Sequence, residues 1–441
     1  MHGQNGVSQV SFECRTGVAC PIDLASADSL FDNDYVKARR SEAWLVLLAA
    51  AYLFFLLFSY YLLRPLREAM GIARGAEKLP WLMTATMATM FVANPLHAWL
   101  VSRMNRRRFI PWICHFFAVN LAGFYAAFRF LPGHGGVPLG YVFYVWLSVF
   151  NLFVISVFWG LMTDVFAADR AKRSFGIISV GGTLGAIAGA KTTSYLMQDV
   201  QLSSANLMVL ALLALELGVV CMLLLAHRAG LRSHGADPHE PGPALHEGMR
   251  LIAQSRYLQL ISGYIFLFTI ASTLLYVAQG HIVEATFANH AAQTAAFADI
   301  DMWVNIVTLA TQLLLTAPLL RWLGVHGVVL VLPLATLVGF GALWLAPVFA
   351  TLAIVQVVRR GLHYAVDRPA RELMYVPLGP EAKYKSKPFI DTFVYRAGDF
   401  AGVWLPTALA ALAVPVAAAA LAVSTAWIGV ALGLRAAIKR A

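Results

Sequence analysis

Apolar runs of about twenty residues recur along most of this 441-residue chain, and nothing else in the sequence restricts its fold as severely. A helix of about that length crosses roughly 30 Å of hydrocarbon. Within hydrocarbon, only helices and closed barrels satisfy every backbone N–H and C=O. The runs are rich in Leu and Ala and do not alternate apolar with polar, which is the pattern of helices rather than of barrel strands. The composition is 59% hydrophobic and only 13% charged, with a mean hydropathy of +0.68. A soluble protein of this size needs more charge to cover its surface. An all-α membrane protein is expected.

Twelve transmembrane helices are predicted, at 43–63, 80–101, 109–130, 138–162, 174–197, 204–226, 257–279, 300–320, 326–344, 347–365, 391–411 and 415–434. Between the sixth and seventh lies Arg232-Ser-His-Gly-Ala-Asp-Pro-His-Glu-Pro-Gly-Pro, a composition that buries no core and serves as a connector. The expected organisation is a tail at 1–40, a six-helix half at 41–226, a linker at 227–256 and a second six-helix half at 257–441. The last part of the linker, Leu245 to Leu258, is expected to form a short interfacial helix. The first forty residues lack a basic start followed by an apolar core, so they do not read as a secretory signal.

The formal net charge is +10. In a soluble protein that excess would point to nucleic acid. Here the basic residues sit between the apolar runs, so nucleic acid is not an expected partner and the positive-inside rule accounts for them. Arg103, Arg106, Arg107, Arg108, Arg170, Lys172, Arg173 and a cluster over 359–387 gather on one side, which places both termini in the cytoplasm. Four cysteines, Cys14, Cys20, Cys114 and Cys221, show no zinc-ligand spacing. No metal and no cofactor is expected.

Charges inside apolar runs mark candidate sites, because each costs roughly 2.5–3.5 kcal/mol at a helix centre. Arg64, Arg67 and Glu68 stand at the end of the first run, Lys191 on the fifth, Glu216 on the sixth, Asp301 on the eighth, and Arg396 and Asp399 on the eleventh. Arg64 and Arg67 share a helix face. They meet a phosphate or carboxylate with their forked donors, or snorkel to the outer headgroups, or Arg64 pairs with Glu68 to fix the helix. Pro65 marks a kink or an end. Lys191 either faces a cavity or snorkels. Arg396 and Asp399 form a salt pair or part of a gate, with Asp391 before them. Glu216 is protonated or paired. Asp301, with Asp299 at the start of the eighth run, reads as a helix N-cap or as a proton or cation site. His115 and His363 read as isolated, and no catalytic set is visible within the spans. Gly181, Gly185 and Gly189 repeat every four residues, a spacing that lets membrane helices pack closely.

Two internal echoes support paired halves. Asp169-Arg170-Ala-Lys172-Arg173-Ser-Phe175 feeds the fifth run as Glu381-Ala-Lys383-Tyr-Lys385-Ser-Lys387-Pro-Phe389 feeds the eleventh. Arg64-Pro-Leu-Arg67-Glu68 ends the first run as Arg368-Pro-Ala-Arg371-Glu372 ends the tenth. Arg368 and Glu372 are therefore candidates for a gate on the cytoplasmic side.

Several of these segments resemble the ATP/ADP translocase-like family of the major facilitator superfamily. They are Tyr60-Tyr-Leu-Leu-Arg64-Pro-Leu-Arg67-Glu68, then Arg173-Ser-Phe175-Gly176 leading into Gly181-Gly182-Thr-Leu-Gly185. The longest runs from Arg368-x-x-Arg371-Glu372 through Tyr384-Lys385-x-Lys387-x-Phe389-Ile-Asp391-Thr392-x-x-Tyr395-Arg396-x-Gly398-Asp399. The resemblance implies a major facilitator-like fold and exchange of ATP for ADP, or of another phosphorylated or anionic solute. It also implies Arg64, Arg67, Lys191, Arg371 and Arg396 as cavity cations. The expected protein is a transporter and not an enzyme, a monomer in the bilayer of a bacterial inner membrane. Two other readings remain: a flippase for lipids or lipid-linked amphiphiles, or a non-transporting scaffold or sensor.

Overall fold

The computed structural model describes residues 24–103, 106–131, 136–166, 168–229, 245–412 and 415–439. Cys14 and Cys20, most of the expected tail and the centre of the linker, 230–244, lie outside the described residues. So do the side chains of the basic residues 103–108 and 170–173. Two units are distinguished, Met1–Leu47 and Leu48–Ala441. The described part of the first, 24–47, is helical throughout. The second carries all the features that follow.

Among the described residues every regular element is helical. The helices are α1 (Leu24–Gly71), α2 (Leu79–Arg103), α3 (Arg106–Phe130), α4 (Gly136–Val165), α5 (Ala168–Gln198), α6 (Ser204–Arg228) and α7 (Leu245–Gln254). They continue as α8 (Arg256–Thr286), α9 (His290–Leu314), α10 (Thr316–Val328), α11 (Val331–Leu345), α12 (Phe349–Leu362), α13 (Arg368–Met374), α14 (Pro380–Phe389), α15 (Tyr395–Ala411) and α16 (Val416–Ile438). Wider π-helical turns join α12 to α13 at His363–Asp367 and α14 to α15 at Ile390–Val394. Each of the twelve apolar runs is helical. Among the described residues seven helices are long and apolar enough to cross a membrane, and α9 with α10, bent by 78°, makes an eighth when taken as one span. The predicted twelve is not reached on length and composition alone: α11 is short, the runs at 347–365 and 391–411 are interrupted by the π-turns, and α2, though 25 residues long, is not apolar enough.

Two boundaries differ from expectation. α1 continues through Pro65 to Gly71, so the proline neither ends the helix nor removes Arg64 and Arg67 from it. α9 starts at His290, with Asn289 as N-cap accepting the Ala292 N–H at 2.7 Å. Asp301 is thus three turns inside the helix and caps nothing.

α3 packs on α6, α2 on α4, and both α15 and α16 on α8. The helices before the linker meet those after it chiefly where α5 runs along α9, and where α2 touches α15. Before the linker the core is aromatic, with Phe117 edge-on to Trp146, Phe150 and Phe153. After it, Tyr264, Phe268 and Trp427 form a buried centre. The glycine stripe of α5 lies against α1: a Cβ on Gly181 would stand 2.7 Å from the Ala50 carbonyl and one on Gly189 2.6 Å from that of Phe58. Only a residue without a side chain allows that approach.

The turn from α1 to α2 sits on α8. Gly75 takes φ 98°, a region that favours glycine. It directs the Ala76 N–H to Glu284 Oε2 at 2.8 Å. Ile72, Ala76 and Leu79 are buried beside Gly280 of α8. Nearby, Trp404 of α15 donates to Thr84 of α2 at 3.0 Å.

Candidate functional site

α1, α9 and α12 bring charged side chains together, with polar groups of α8 beside them. Arg64 of α1 binds Asp301 Oδ1 of α9 at 3.1 Å. Arg360 of α12 binds the same oxygen at 2.8 Å. The Asp301 side chain is only 4% exposed, and the two guanidiniums on it offset the cost of burying a carboxylate there. One turn on, Arg67 binds Glu68 Oε1 at 2.8 Å and donates to Ser148 at 3.0 Å. Its guanidinium lies 4.5 Å from the Tyr144 ring centroid. Tyr276 of α8 donates a short hydrogen bond to Glu68 and shares another, 2.7 Å, with Tyr144. Both the Arg64–Asp301 and Tyr276–Glu68 contacts therefore join α1 to helices after the linker.

Arg359 has no carboxylate partner of this kind. It is buried, donates to Ser272 at 3.2 Å and lies 5.5 Å over Phe268. Its Nε and Nη2 are buried with no hydrogen-bond partner, and the same holds for Arg360 Nη2 and Arg67 Nε. Buried donors are almost always satisfied in folded proteins. Four guanidiniums here face two carboxylates, Glu68 and Asp301. The cluster thus carries an excess of two positive charges where the dielectric is low. A phosphate or carboxylate has the acceptors and the negative charge that this cluster lacks.

Arg64 stands where three cavities meet. The largest, about 640 Å³, is lined by Tyr60, Tyr61, Asn151, Asn305, Thr308 and Tyr364, with Gln312, Arg368 and Glu372 exposed at its rim. A second of about 280 Å³ lies toward the α1–α2 turn and includes Arg67, Glu68, Thr84, Arg396 and Asp399. Between them a space of about 160 Å³ holds Arg359, Arg360, Asp301 and His363.

The remaining sequence candidates distribute around this centre. Arg396 pairs with Asp399 at 3.1 Å within α15, and Asp399 also accepts from Thr273 at 3.2 Å. Arg371 reaches Asp391 at 3.5 Å, and Lys387 binds Glu372 at 2.6 Å. Arg368 lines only the largest cavity. Lys191 is exposed and lines none of these spaces.

Four readings need correction. Arg64 takes Asp301 rather than Glu68, because Glu68 is claimed by Arg67. Arg359 and Arg360 belong to the central cluster, although their sequence neighbours suggested a surface group; the helix that carries them ends only after the cavity wall. His115 is not isolated: it lies 3.1 Å from Glu216, which is paired, one of the two states read for it. His363 is not isolated either: Asp367, one turn on at 3.0 Å, holds it, and Tyr264 holds Asp367 at 2.7 Å. The spacing Gln356, Arg359, Arg360, His363 on one apolar run was a signal available in the sequence, since such a run has no cause to bury cations unless they share a cavity.

The resemblance read from the sequence is borne out by comparison with known proteins. The family model described as TLC ATP/ADP transporter matches residues 327–439. The chain is 22% identical over 410 residues to ADP,ATP carrier protein 1, chloroplastic, of Arabidopsis thaliana, covering 79% of this chain and 65% of that one. It is 21% identical over 431 residues to ADP,ATP carrier protein 2 of Chlamydia pneumoniae, covering 79% of each. The plastidic ATP/ADP-transporter of Solanum tuberosum is 22% identical over 331 residues. The chain spans 65% and 52% of the lengths of the two plant relatives. Among solved structures, it resembles a POT family transporter in complex with 5-aminolevulinic acid, with a TM-score of 0.63 at 13% identity, covering 88% of this chain and 94% of that one. It also resembles the nucleoside transporter NupG, with a TM-score of 0.62 at 11% identity over 90% and 99%. The fold is that of these membrane transporters.

Proposed function

We propose that this chain is a secondary transporter that exchanges nucleotides, or a closely related phosphorylated anion, by alternating access. The buried cluster of Arg64, Arg67, Arg359 and Arg360, two positive charges in excess and with unsatisfied donors, carries this reading. The carriers of ATP and ADP among its relatives supply the chemical class. Catalysis has no part in it.

In this reading two six-helix halves, 41–226 and 257–441, rock about the central site. A phosphate entering from the 640 Å³ cavity competes with Asp301 for Arg64 and Arg360. Each guanidinium then exchanges one charge-assisted partner for another. The Arg64–Asp301 link between α1 and α9 loosens as a result, and the substrate takes its place between the halves. Arg371, Arg396, Asp391 and Asp399 serve the approaches, with Arg368, Glu372 and Lys387 at one mouth. The protein works as a monomer in a bacterial inner membrane, with both termini in the cytoplasm.

The test is exchange in proteoliposomes. Purified protein with ADP inside the vesicles takes up labelled ATP from outside, and Arg64→Ala or Arg360→Ala lowers the initial rate at least tenfold. Wild-type protein that exchanges no nucleotide and no sugar phosphate would sink the proposal.

A further inference from the structure

Asp301, Asn305, Thr308 and Gln312 follow one another on α9 at steps of four, three and four residues. That spacing puts all four on one face of the helix. Asp301 is bound to Arg64 and Arg360; the other three carry no charge and line the 640 Å³ cavity. The face therefore changes along its length from ionic to neutral and hydrogen-bonding. From Asp301 to Gln312 it extends roughly 16 Å at about 1.5 Å per residue, a span of the same order as an extended nucleoside di- or triphosphate.

We propose that this face of α9 reads the base of the transported nucleotide, with the phosphates at Arg64 and Arg360 and the base against Asn305, Thr308 and Gln312. The proposal rests on the nucleotide reading above and adds the residues that set base preference. A carboxamide offers a donor and an acceptor in one plane, the pattern that pairs with the edge of a nucleobase. Asn305 is held in place by donating to the Asp301 carbonyl at 2.8 Å, which uses only one of its two amide hydrogens. Thr308 has a buried hydroxyl oxygen with no partner, although it is only 7% exposed. Asn151 adds a third carboxamide from α4 across the same cavity. Tyr60 and Tyr61, with ring centroids 5.5 Å apart, supply aromatic faces of the kind on which bases stack.

The experiment uses full-length protein in proteoliposomes and measures inhibition of labelled nucleotide uptake by ATP, GTP, CTP and inorganic tripolyphosphate. The last carries the phosphates and no base. Wild-type protein is expected to rank the three nucleotides and to bind tripolyphosphate more weakly than the best of them. Gln312→Ala and Asn305→Ala are expected to weaken the preferred nucleotide about tenfold while leaving tripolyphosphate inhibition within about twofold. Asn305→Asp and Gln312→Glu, which keep the volume but replace donors by acceptors, are expected to reorder the nucleotides. Unaltered nucleotide ranking in all four variants, or equal loss for nucleotides and tripolyphosphate, overturns the role of α9 while nucleotide exchange stands. Wild-type protein that prefers tripolyphosphate to every nucleotide likewise overturns the base-reading role, whereas wild-type protein that takes up no labelled nucleotide overturns the nucleotide reading itself.

Discussion

Asp301 accepts two guanidiniums on one oxygen, 2.8 and 3.1 Å away, and so sets the energetics of the whole cluster. Removing one partner of a buried ion pair costs about 3–5 kcal/mol, mostly because the surviving charge stays buried without compensation. Asp301→Asn leaves Arg64 and Arg360 in that position. It is expected to lower the melting temperature of the detergent-purified protein, and millimolar phosphate-bearing anions are expected to recover more of the loss than they add to wild type. Equal melting temperatures for the two proteins would show that Asp301 does not neutralise the arginines. The sequence marked Arg64, Arg67 and Asp301 as charges in apolar runs, because the cost of such charges is visible in one dimension. Their partners were not visible. Asp301 meets Arg64 from 237 positions away and Arg360 from 59, which depends on how distant helices face one another, and Arg359 and Arg360 were hidden in a basic segment whose other members do not line the space they share.

At the scale of elements, helices were legible because hydropathy and length dictate them, while their irregularities were not. Each apolar run became helix, yet the π-turns at His363–Asp367 and Ile390–Val394 and the 78° bend after Leu314 were not predicted, although Pro369, Pro388 and Pro318 stand beside them. The glycine stripe on α5 was legible, since a four-residue repeat of glycine has a direct meaning for close packing. The seat of the α1–α2 turn on α8 was not, because Gly75, Ala76 and Glu284 form no motif. That seat lends itself to a test of opening. A Cβ placed on Gly280 stands 3.4 Å from the Ala76 Cβ, close to the separation of about 3.5–4.5 Å that a disulfide spans. Ala76→Cys with Gly280→Cys, in a background freed of the four native cysteines, is expected to stop exchange on oxidation and regain it on reduction. Exchange that continues in the fully oxidised pair would mean that this contact stays shut throughout the cycle.

For the whole molecule, the arginine cluster has an electrical consequence. Two excess positive charges that shift relative to the bilayer do work against the membrane voltage, at about 2.3 kcal/mol per charge for every 100 mV fully crossed. In the exchanger proposed above, the empty carrier moves that charge each time it reorients, whereas a bound phosphorylated anion offsets it. The empty return is therefore the voltage-sensitive step, and one-for-one swapping of like-charged anions avoids it. Proteoliposomes clamped at different potassium diffusion potentials are expected to show net uptake that changes several-fold with voltage and homologous exchange that changes less than twofold. Equal voltage dependence of the two would mean that the cluster stays fixed in the field while the protein turns around it.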